Sequence, residues 1–436
     1  RSFKTKEQFI FKKYLMKKPD NIWHPFTQMK TDTNTLLITK TKGVSLFDDL
    51  GKEYIDANSS WWVNVHGHSH PYIGKAINDQ FNTLDHVIFA GVKHPKAIEL
   101  SRRISDILPE KLEKVFFSDD GSTSVEVALK MVIQFHHNNN VDKKRIVALS
   151  GAYHGDTFGA MSLGERGYFN EPFEPYFFDI ECLDFPKNET DNHFIEQAKE
   201  IFAKGDVCAL IVEPLVQGSS GMRMYSVEQL ESLMKLAKKH EILIIFDEVM
   251  TGWGRTGKLF ALDHLNIHPD IVCLSKGLTG GTLPLGLTVA SEKIYNAFLS
   301  DDKKKALLHG HSFTGNALAC AAACASLDLF EEKQTWDNVK NIVYKHHLFK
   351  EEVQKDEMVS KVRQTGTILA IEIKIEQESG YFVGIRDLAY DFFIENGILL
   401  RPLGNVIFIN PPYCISSDQL DYIYSKIQLF LDKIRN

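Results

Sequence analysis

An α/β fold follows from three features of this 436-residue sequence: a mostly parallel mixed sheet in a large domain, with a smaller α+β domain beside it. Short runs rich in β-branched and aromatic residues recur from residue 114 to residue 291. Amphipathic segments of helical length separate most of them. One connection, residues 276–284, is too short for the crossover that parallel neighbours need. The alternation argues for a sheet covered on both faces. The short connection argues for an antiparallel pair within it.

Taken in order, the strand candidates are KVFFS (114–118), RIVALS (145–150), CALIVEP (208–214), ILIIFDE (242–248), IVCLS (271–275) and LGLTVAS (285–291). The segments SVEVALKMVIQFHH (124–137) and VEQLESLMKLAKKH (227–240) repeat apolar residues at helical spacing, so each packs one face on the sheet. Ser124 is the expected first residue of the earlier helix. Farther on, KVRQTGTILAIEIKI (361–375) and GILLRPLGNVIFINPP (397–412) flank a helical stretch and form the α+β unit. The expected division is a large domain over residues 59–331 and a small domain built from residues 1–58 and 332–436.

Composition narrows the class. Hydrophobic residues make up 44% and charged residues 25%, ordinary values for a globular protein. The net charge of −7 gives no basic surface for nucleic acid or membrane. None of the six cysteines forms a C-x-x-C pair, which fits a reducing cytosol with neither a disulfide framework nor a zinc site. No apolar stretch reaches 18 residues, and the basic first residues lack the apolar core of a secretory signal. The expectation is a cytoplasmic protein that acts on small molecules, with no nucleic-acid or membrane partner.

Ligands of open α/β sheets bind at the carboxyl ends of the strands. The stretch IIFDEVMTGWGRTG (244–257) places two acids, Asp247 and Glu248, at such an end. FFSDDGSTSVEVALK puts Gly121, Ser122 and Thr123 between a strand and a helix, where backbone N–H groups and hydroxyls suit an anion. A plain N-cap with a turn is the alternative there. CLSKGLTGG puts Lys276 directly after a buried strand. Desolvation there lowers the amine's pKa and fits it for Schiff-base chemistry, whereas a lysine reaching back to solvent is the structural alternative. An anion cradle, an acid and an amine in one crevice suit pyridoxal 5'-phosphate. Its phosphate would sit in the cradle, with Lys276 on the aldehyde and Asp247 keeping the ring nitrogen protonated, so that the ring acts as an electron sink. Otherwise Asp247 serves as a helix cap or pairs with Arg255. Tyr153, in GAYHGDTFGAM, is placed to stack on such a ring or simply to pack its loop, and Asp156 to hydrogen-bond nearby. His66, His68 and His70 have a strand-like spacing, but Gly67 and Pro71 argue for a turn. With no carboxylate cluster beside them, no metal site is expected.

The segment IIFDEVMTGWGRTGKLFALDHLNIHPDIVCLSKGLTGG resembles the class III pyridoxal-phosphate-dependent aminotransferases, and the resemblance runs over nearly the whole chain. It implies a fold-type-I homodimer with shared active sites at the subunit interface. By that resemblance Lys276 is the Schiff-base lysine, Asp247 binds the pyridine nitrogen, and Gly121 and Ser122 hold the phosphate. Tyr153 stacks on the ring and completes the catalytic group. Gly310, His311 and Ser312 reach the neighbour's cofactor phosphate. Trp61, Trp62, Tyr153, Lys276 and Gly310 line the substrate pocket, and Arg401 meets the substrate carboxylate. Further segments, among them NIWHPFTQM (21–29), NSSWWVNVHGHSHP (58–71) and HGHSFTGNALACAAA (309–323), are similar to one branch of the family. That branch converts 8-amino-7-oxononanoate to 7,8-diaminononanoate in biotin biosynthesis, with S-adenosyl-L-methionine as amino donor. Two positions depart from the pattern: His311-Ser312 stands where Pro-Thr is common, and Phe26 stands where adenosylmethionine-using members carry Tyr. The competing readings are the same acceptor with lysine as donor, another ω-aminotransferase of the class, and a non-catalytic protein on the same fold. A nucleotide-dependent dehydrogenase ranks below these, since no G-x-G-x-x-G follows the early strands.

Overall fold

The computed structural model describes residues 21–31, 35–375 and 384–435. The part of the expected small domain formed by residues 1–20 lies outside the described residues. The central sheet has seven strands: β1 (Leu112–Ser118), β2 (Arg145–Leu149), β3 (Glu181–Leu183), β4 (Val207–Val212), β5 (Leu243–Asp247), β6 (Ile271–Leu274) and β7 (Gly286–Ser291). Their spatial order is β1-β7-β6-β5-β4-β2-β3. Strand β7 runs antiparallel to both β6 and β1, and the remaining pairs are parallel. The short 276–284 connection therefore has the consequence expected of it. Every residue of β4, β5, β6 and β7 is buried. Helices on both faces demand this, and it explains why these strands read as unbroken apolar runs.

The helix after β1 spans Gly121–Asn138 and so begins three residues before the expected Ser124. Asp120 is its N-cap. The Asp120 carboxylate accepts the Thr123 N–H at 2.8 Å, and Thr123 Oγ1 accepts the Asp120 N–H at 3.0 Å. This reciprocal box satisfies donors at the helix start and outweighs the poor helix propensity of Gly121. The second expected helix is present as Val227–Lys239, capped by Ser226 and Gln229 in the same way.

Two smaller sheets lie beside the central one. Val359–Thr365, Ile368–Ile373 and Val406–Ile409 form an antiparallel three-stranded sheet. Ile38–Lys42, Ser45–Asp48 and Glu53–Asp56 form another, whose edge is completed in parallel by Ile398–Leu399. The early and late parts of the chain thus share a sheet. A further two-stranded hairpin, Val216–Gln217 with Arg223–Met224, escaped the sequence reading because two-residue strands carry no periodicity.

Candidate active site

The carboxyl ends of β1, β2, β4, β5 and β6 share one edge of the sheet and open on a cavity of about 1760 Å³. Gly121, Ser122, Tyr153, Asp247, Lys276, Trp61, Trp62, Arg401 and Phe26 all line it. Gly310, His311 and Ser312 do not; Gly310 and Ser312 are exposed on the surface. There the Ser312 carbonyl lies 2.7 Å from His86 Nε2, and His311 Nε2 lies 3.8 Å from Asp119 Oδ1.

Lys276 opens a short turn, Lys276–Thr279, directly after β6, and takes a left-handed φ of 48°. Its Nζ lies 4.6 Å from the centre of the Trp62 ring. Burial pulls the amine down to about 8, against the upward pull of the Asp247 and Glu213 carboxylates. This is a lysine packed on an aromatic face rather than one reaching for solvent.

Asp247 and Glu248 part company at the strand end. Asp247 is 5% exposed. Its Oδ2 lies 2.8 Å from His154 Nδ1, and its Oδ1 accepts the Val249 N–H at 3.1 Å. Neither structural alternative for Asp247 describes this geometry. Arg255 instead donates to the carbonyls of Pro411 (2.8 Å) and Trp62 (3.3 Å). Glu248 turns away from the cavity. Its carboxylate accepts the N–H groups of Ala261 (2.9 Å) and Leu262 (2.7 Å) and the Thr251 hydroxyl (2.8 Å). It holds the start of the short helix Ala261–His264.

Two site residues were missed in the sequence. Glu213 stands at the end of β4 as Asp247 stands at the end of β5. Burial pushes it up to about 7, although it accepts the N–H groups of Tyr153 (3.1 Å) and Gly218 (2.9 Å). The test that singled out Asp247, an acid at the tip of an apolar run, finds Glu213 in LIVEP as well. His154 follows Tyr153 and is buried. Its Nδ1 faces Asp247, while its Nε2 has no hydrogen-bond partner among the described residues.

The anion cradle is tightly built. A Cβ on Gly121 would stand 2.7 Å from Val249 Cγ1, and one on Gly155, where φ is +131°, would stand 2.2 Å from Ser122 Oγ. Only glycine lets these backbones approach the helix start so closely. Ser122 Oγ accepts the Asp156 N–H at 3.3 Å. Tyr153 and Asp156 line the cavity together. Burial raises the pKa of both groups.

The opposite wall is the Ser59–Trp62 turn. Ser59 (φ 51°), Ser60 (φ 57°) and Trp62 (φ 67°) all lie in the left-handed region, a conformation costing non-glycine residues about 1–3 kcal/mol each. Trp61 packs against Phe26, with ring centres 5.4 Å apart, and the Arg401 guanidinium lies 5.6 Å from the Trp61 ring. The Arg401 backbone N–H donates to Asn58 Oδ1 at 2.7 Å. Among the described residues no group of His, Cys, Asp or Glu is arranged to hold a metal ion, and no helix is long and apolar enough to cross a membrane.

The site therefore offers a helix start for an anion, an acid fixed by a histidine, an amine with a lowered pKa, and an aromatic wall ending in an arginine. A sequence model of the class-III aminotransferases matches residues 27–431. The chain belongs to the class-III aminotransferase family. This aminotransferase is 46% identical to the adenosylmethionine-8-amino-7-oxononanoate aminotransferase of Synechococcus elongatus, over 95% of this chain and 99% of that one. It is 36% identical to the enzyme of the same name from Helicobacter pylori, over 95% and 96% of the two chains. Among solved structures, the adenosylmethionine-8-amino-7-oxononanoate aminotransferase of Methanocaldococcus jannaschii superposes with a TM-score of 0.89 at 34% identity, covering 99% of each chain. A PLP-bound amine transaminase from an uncultivated Pseudomonas species superposes with a TM-score of 0.90 at 28% identity, covering 95% of this chain and 99% of the other. The class-III aminotransferase fold is thus shared with enzymes of more than one substrate range.

Proposed function

We propose that this aminotransferase converts 8-amino-7-oxononanoate to 7,8-diaminononanoate in biotin biosynthesis, using pyridoxal 5'-phosphate as cofactor and S-adenosyl-L-methionine as amino donor. The 46% identity to an enzyme of that name over nearly both whole chains carries the reading. The cavity supports it: the acceptor is a long apolar chain ending in a carboxylate, and here an aromatic wall leads to Arg401.

The residues fit the cofactor. The unpaired Nε2 of buried His154 and the glycine-lined helix start, where an added Cβ finds no room, belong to a site built around a bound group. Gly121 and Ser122 hold the phosphate at the start of the 121–138 helix. Tyr153 stacks on the ring. Asp247, oriented by His154, holds the protonated ring nitrogen by a charge-assisted bond. When bound, pyridoxal phosphate supplies an electron sink for negative charge at the substrate carbon. Lys276 Nζ would hold the cofactor, and a pKa near working pH suits it to take and return the proton at the substrate carbon. Trp61, Trp62 and Tyr153 shape the substrate channel, and the Arg401 fork takes the carboxylate.

The same reading makes the enzyme a cytoplasmic homodimer with shared sites, in which Gly310, His311 and Ser312 serve the neighbouring subunit's cofactor and substrate. It divides the chain into a cofactor-binding domain over residues 59–331 and a small domain from both ends. The absence of these three residues from their own chain's cavity supports that arrangement.

Lysine as donor is the second reading, and Phe26 favours it. Phe26 packs on Trp61 and on Phe169 (6.1 Å) and offers no hydroxyl to an incoming donor. For adenosylmethionine, the aromatic faces of Trp61 and Phe26 suit a sulfonium and an adenine. Single-turnover conversion of the bound cofactor from its aldehyde to its amine form, with each donor alone, decides between them. Adenosylmethionine is expected to convert it; ready conversion by lysine alone overturns the donor. Borohydride reduction followed by mass spectrometry is expected to place the pyridoxyl label on Lys276, and a label on any other lysine overturns the site.

A further inference from the structure

The His66-Gly67-His68 segment lies behind both strained turns of the cavity. His68 Nε2 donates to Asp56 Oδ2 at 2.7 Å. Asp56 is wholly buried, and its carboxylate also accepts the N–H groups of Asn58 (3.0 Å) and Ser60 (2.6 Å). Those two amides flank Ser59 in the turn that carries Trp62 to Lys276. On the other side, the Ser326 hydroxyl donates to the carbonyl of Gly277, the residue after Lys276, at 3.2 Å. Ser326 Oγ is thereby left as the acceptor for His66 Nε2, 3.1 Å away. Burial draws the His66 ring down to about 3, so it stays neutral at working pH and acts only through this hydrogen bond. Gly67 fixes the segment between the two histidines. Its φ is +88°, and a Cβ there would stand 2.5 Å from Cys414 Sγ. The His68 backbone is tied to Gly43 by reciprocal hydrogen bonds of 2.7 and 3.0 Å.

Left-handed turns of non-glycine residues persist only where their surroundings over-determine them. Here the two turns in question, with Trp62 and Lys276 both at positive φ, are held from one short segment. We infer that His66-Gly67-His68 is a positioning strap that sets the distance between the Lys276 amine and the Trp62 ring, His68 acting through Asp56 on the tryptophan turn and His66 acting through Ser326 on the lysine turn. The inference rests on the reading that Lys276 is the reacting amine. The H-x-H spacing thus serves two separate hydrogen-bond chains, one to each of two neighbouring turns, not one shared ion. His66, His68, Asp56 and Ser326 are positioning residues; none of them lines the cavity.

The test uses the full-length enzyme and the variants Ser326→Ala, Asp56→Asn, His68→Phe and His68→Gln. Loosening either turn lets water reach the amine. In cofactor-stripped protein, the pH midpoint for acylation of Lys276, read by mass spectrometry, is therefore expected to rise from about 8 toward the ordinary lysine value. A misplaced reacting group costs rate, so kcat is expected to fall roughly tenfold to a hundredfold in the Ser326→Ala and Asp56→Asn variants. KM for the acceptor should change little in Ser326→Ala and rise in Asp56→Asn, because Asp56 also holds Asn58, whose side chain accepts the Arg401 backbone N–H. The near-UV circular dichroism of the tryptophans should change in Asp56→Asn. His68→Gln, which keeps a donor, should recover most of the rate lost in His68→Phe. A folded Ser326→Ala variant with wild-type kcat and an unmoved midpoint overturns the strap, and it decides the matter even where Asp56→Asn does not fold. Lys276→Ala separates the two failures. Turnover retained there overturns the reading of the site and the strap with it. Turnover abolished there, with Ser326→Ala like wild type, overturns the strap alone.

Discussion

Asp247 and Glu248 are adjacent in sequence and opposite in duty, because successive strand residues face opposite sides of a sheet. Asp247 meets the cavity, whereas Glu248 satisfies the buried N–H groups of Ala261 and Leu262. Leaving such donors unpaired costs about 1–3 kcal/mol each. Glu248→Ala is therefore expected to lower Tm substantially while the rate per folded molecule stays near wild type. Asp247→Ala should do the reverse, and thermal melts paired with rates normalised to folded protein check both. Lys276 gives a pH prediction. An amine is neutral and reactive above its pKa, and burial has moved this one from 10.5 down to about 8. Between those values Lys276 should acylate while surface lysines remain protonated. A midpoint near that of ordinary lysines contradicts the assignment. Asp247 and Lys276 were legible because each ends an apolar run. Glu213 satisfied the same rule and was passed over. His154 was not legible, since its role depends on Asp247 lying within 2.8 Å, a contact spanning 93 residues of sequence.

At the scale of elements, periodicity carried the reading as far as local physics reaches. The buried strands and the long helices repeat their apolar residues, and the nine-residue link before β7 dictated its direction. The helix at Gly121 was placed three residues late because a capping box of Asp120 and Thr123 resembles a turn when a glycine stands inside it. The strained Ser59–Trp62 turn has no sequence signature at all. It is held by Asp56, itself held by His68, and the matching support of Lys276 joins His66 to a serine 260 residues away. The approach of the 151–156 loop to the helix start gives an element-level prediction. A Cβ at Gly155 would press on the Ser122 hydroxyl at 2.2 Å and on its Cα at 2.7 Å. Gly155→Ala should therefore displace the phosphate contact proposed for Ser122. Losing one hydrogen bond to a charged group, worth about 1.5–3 kcal/mol, weakens cofactor binding roughly tenfold to a hundredfold. Absorbance of bound cofactor after gel filtration measures this, and wild-type retention contradicts it.

At the scale of the molecule, one chain holds most of the proposed site, and the proposed homodimer would supply the rest. Gly310, His311 and Ser312 stand apart from the cavity beside large exposed apolar residues. Leu308 is 80% exposed and Phe313 65%. Large exposed apolar side chains close in sequence to these three residues are of the kind a protein contact covers. Neither composition nor periodicity pointed to a second subunit; only the family resemblance did, because an interface leaves no periodic trace in the chain that forms it. A site shared as proposed has a decisive consequence for mixed dimers. A Lys276→Ala subunit lacks the amine of its own cavity, and a Ser312→Ala subunit lacks the hydroxyl that, on the proposed arrangement, it would lend to its neighbour. In the heterodimer of the two, the cavity that keeps Lys276 receives an intact Ser312 from the other chain, and the cavity without Lys276 receives the alanine. Both lesions fall on one site and the other is whole. The Lys276→Ala homodimer should be inactive and the Ser312→Ala homodimer impaired by weakened phosphate binding. The purified heterodimer should recover about half the wild-type rate, since one of two sites in a C₂ dimer is complete. If each cavity instead used its own Ser312, the heterodimer would carry one lesion in each site and show no more than half the rate of the Ser312→Ala homodimer. Assaying tagged heterodimers at low cofactor concentration, where the serine matters most, separates these two values.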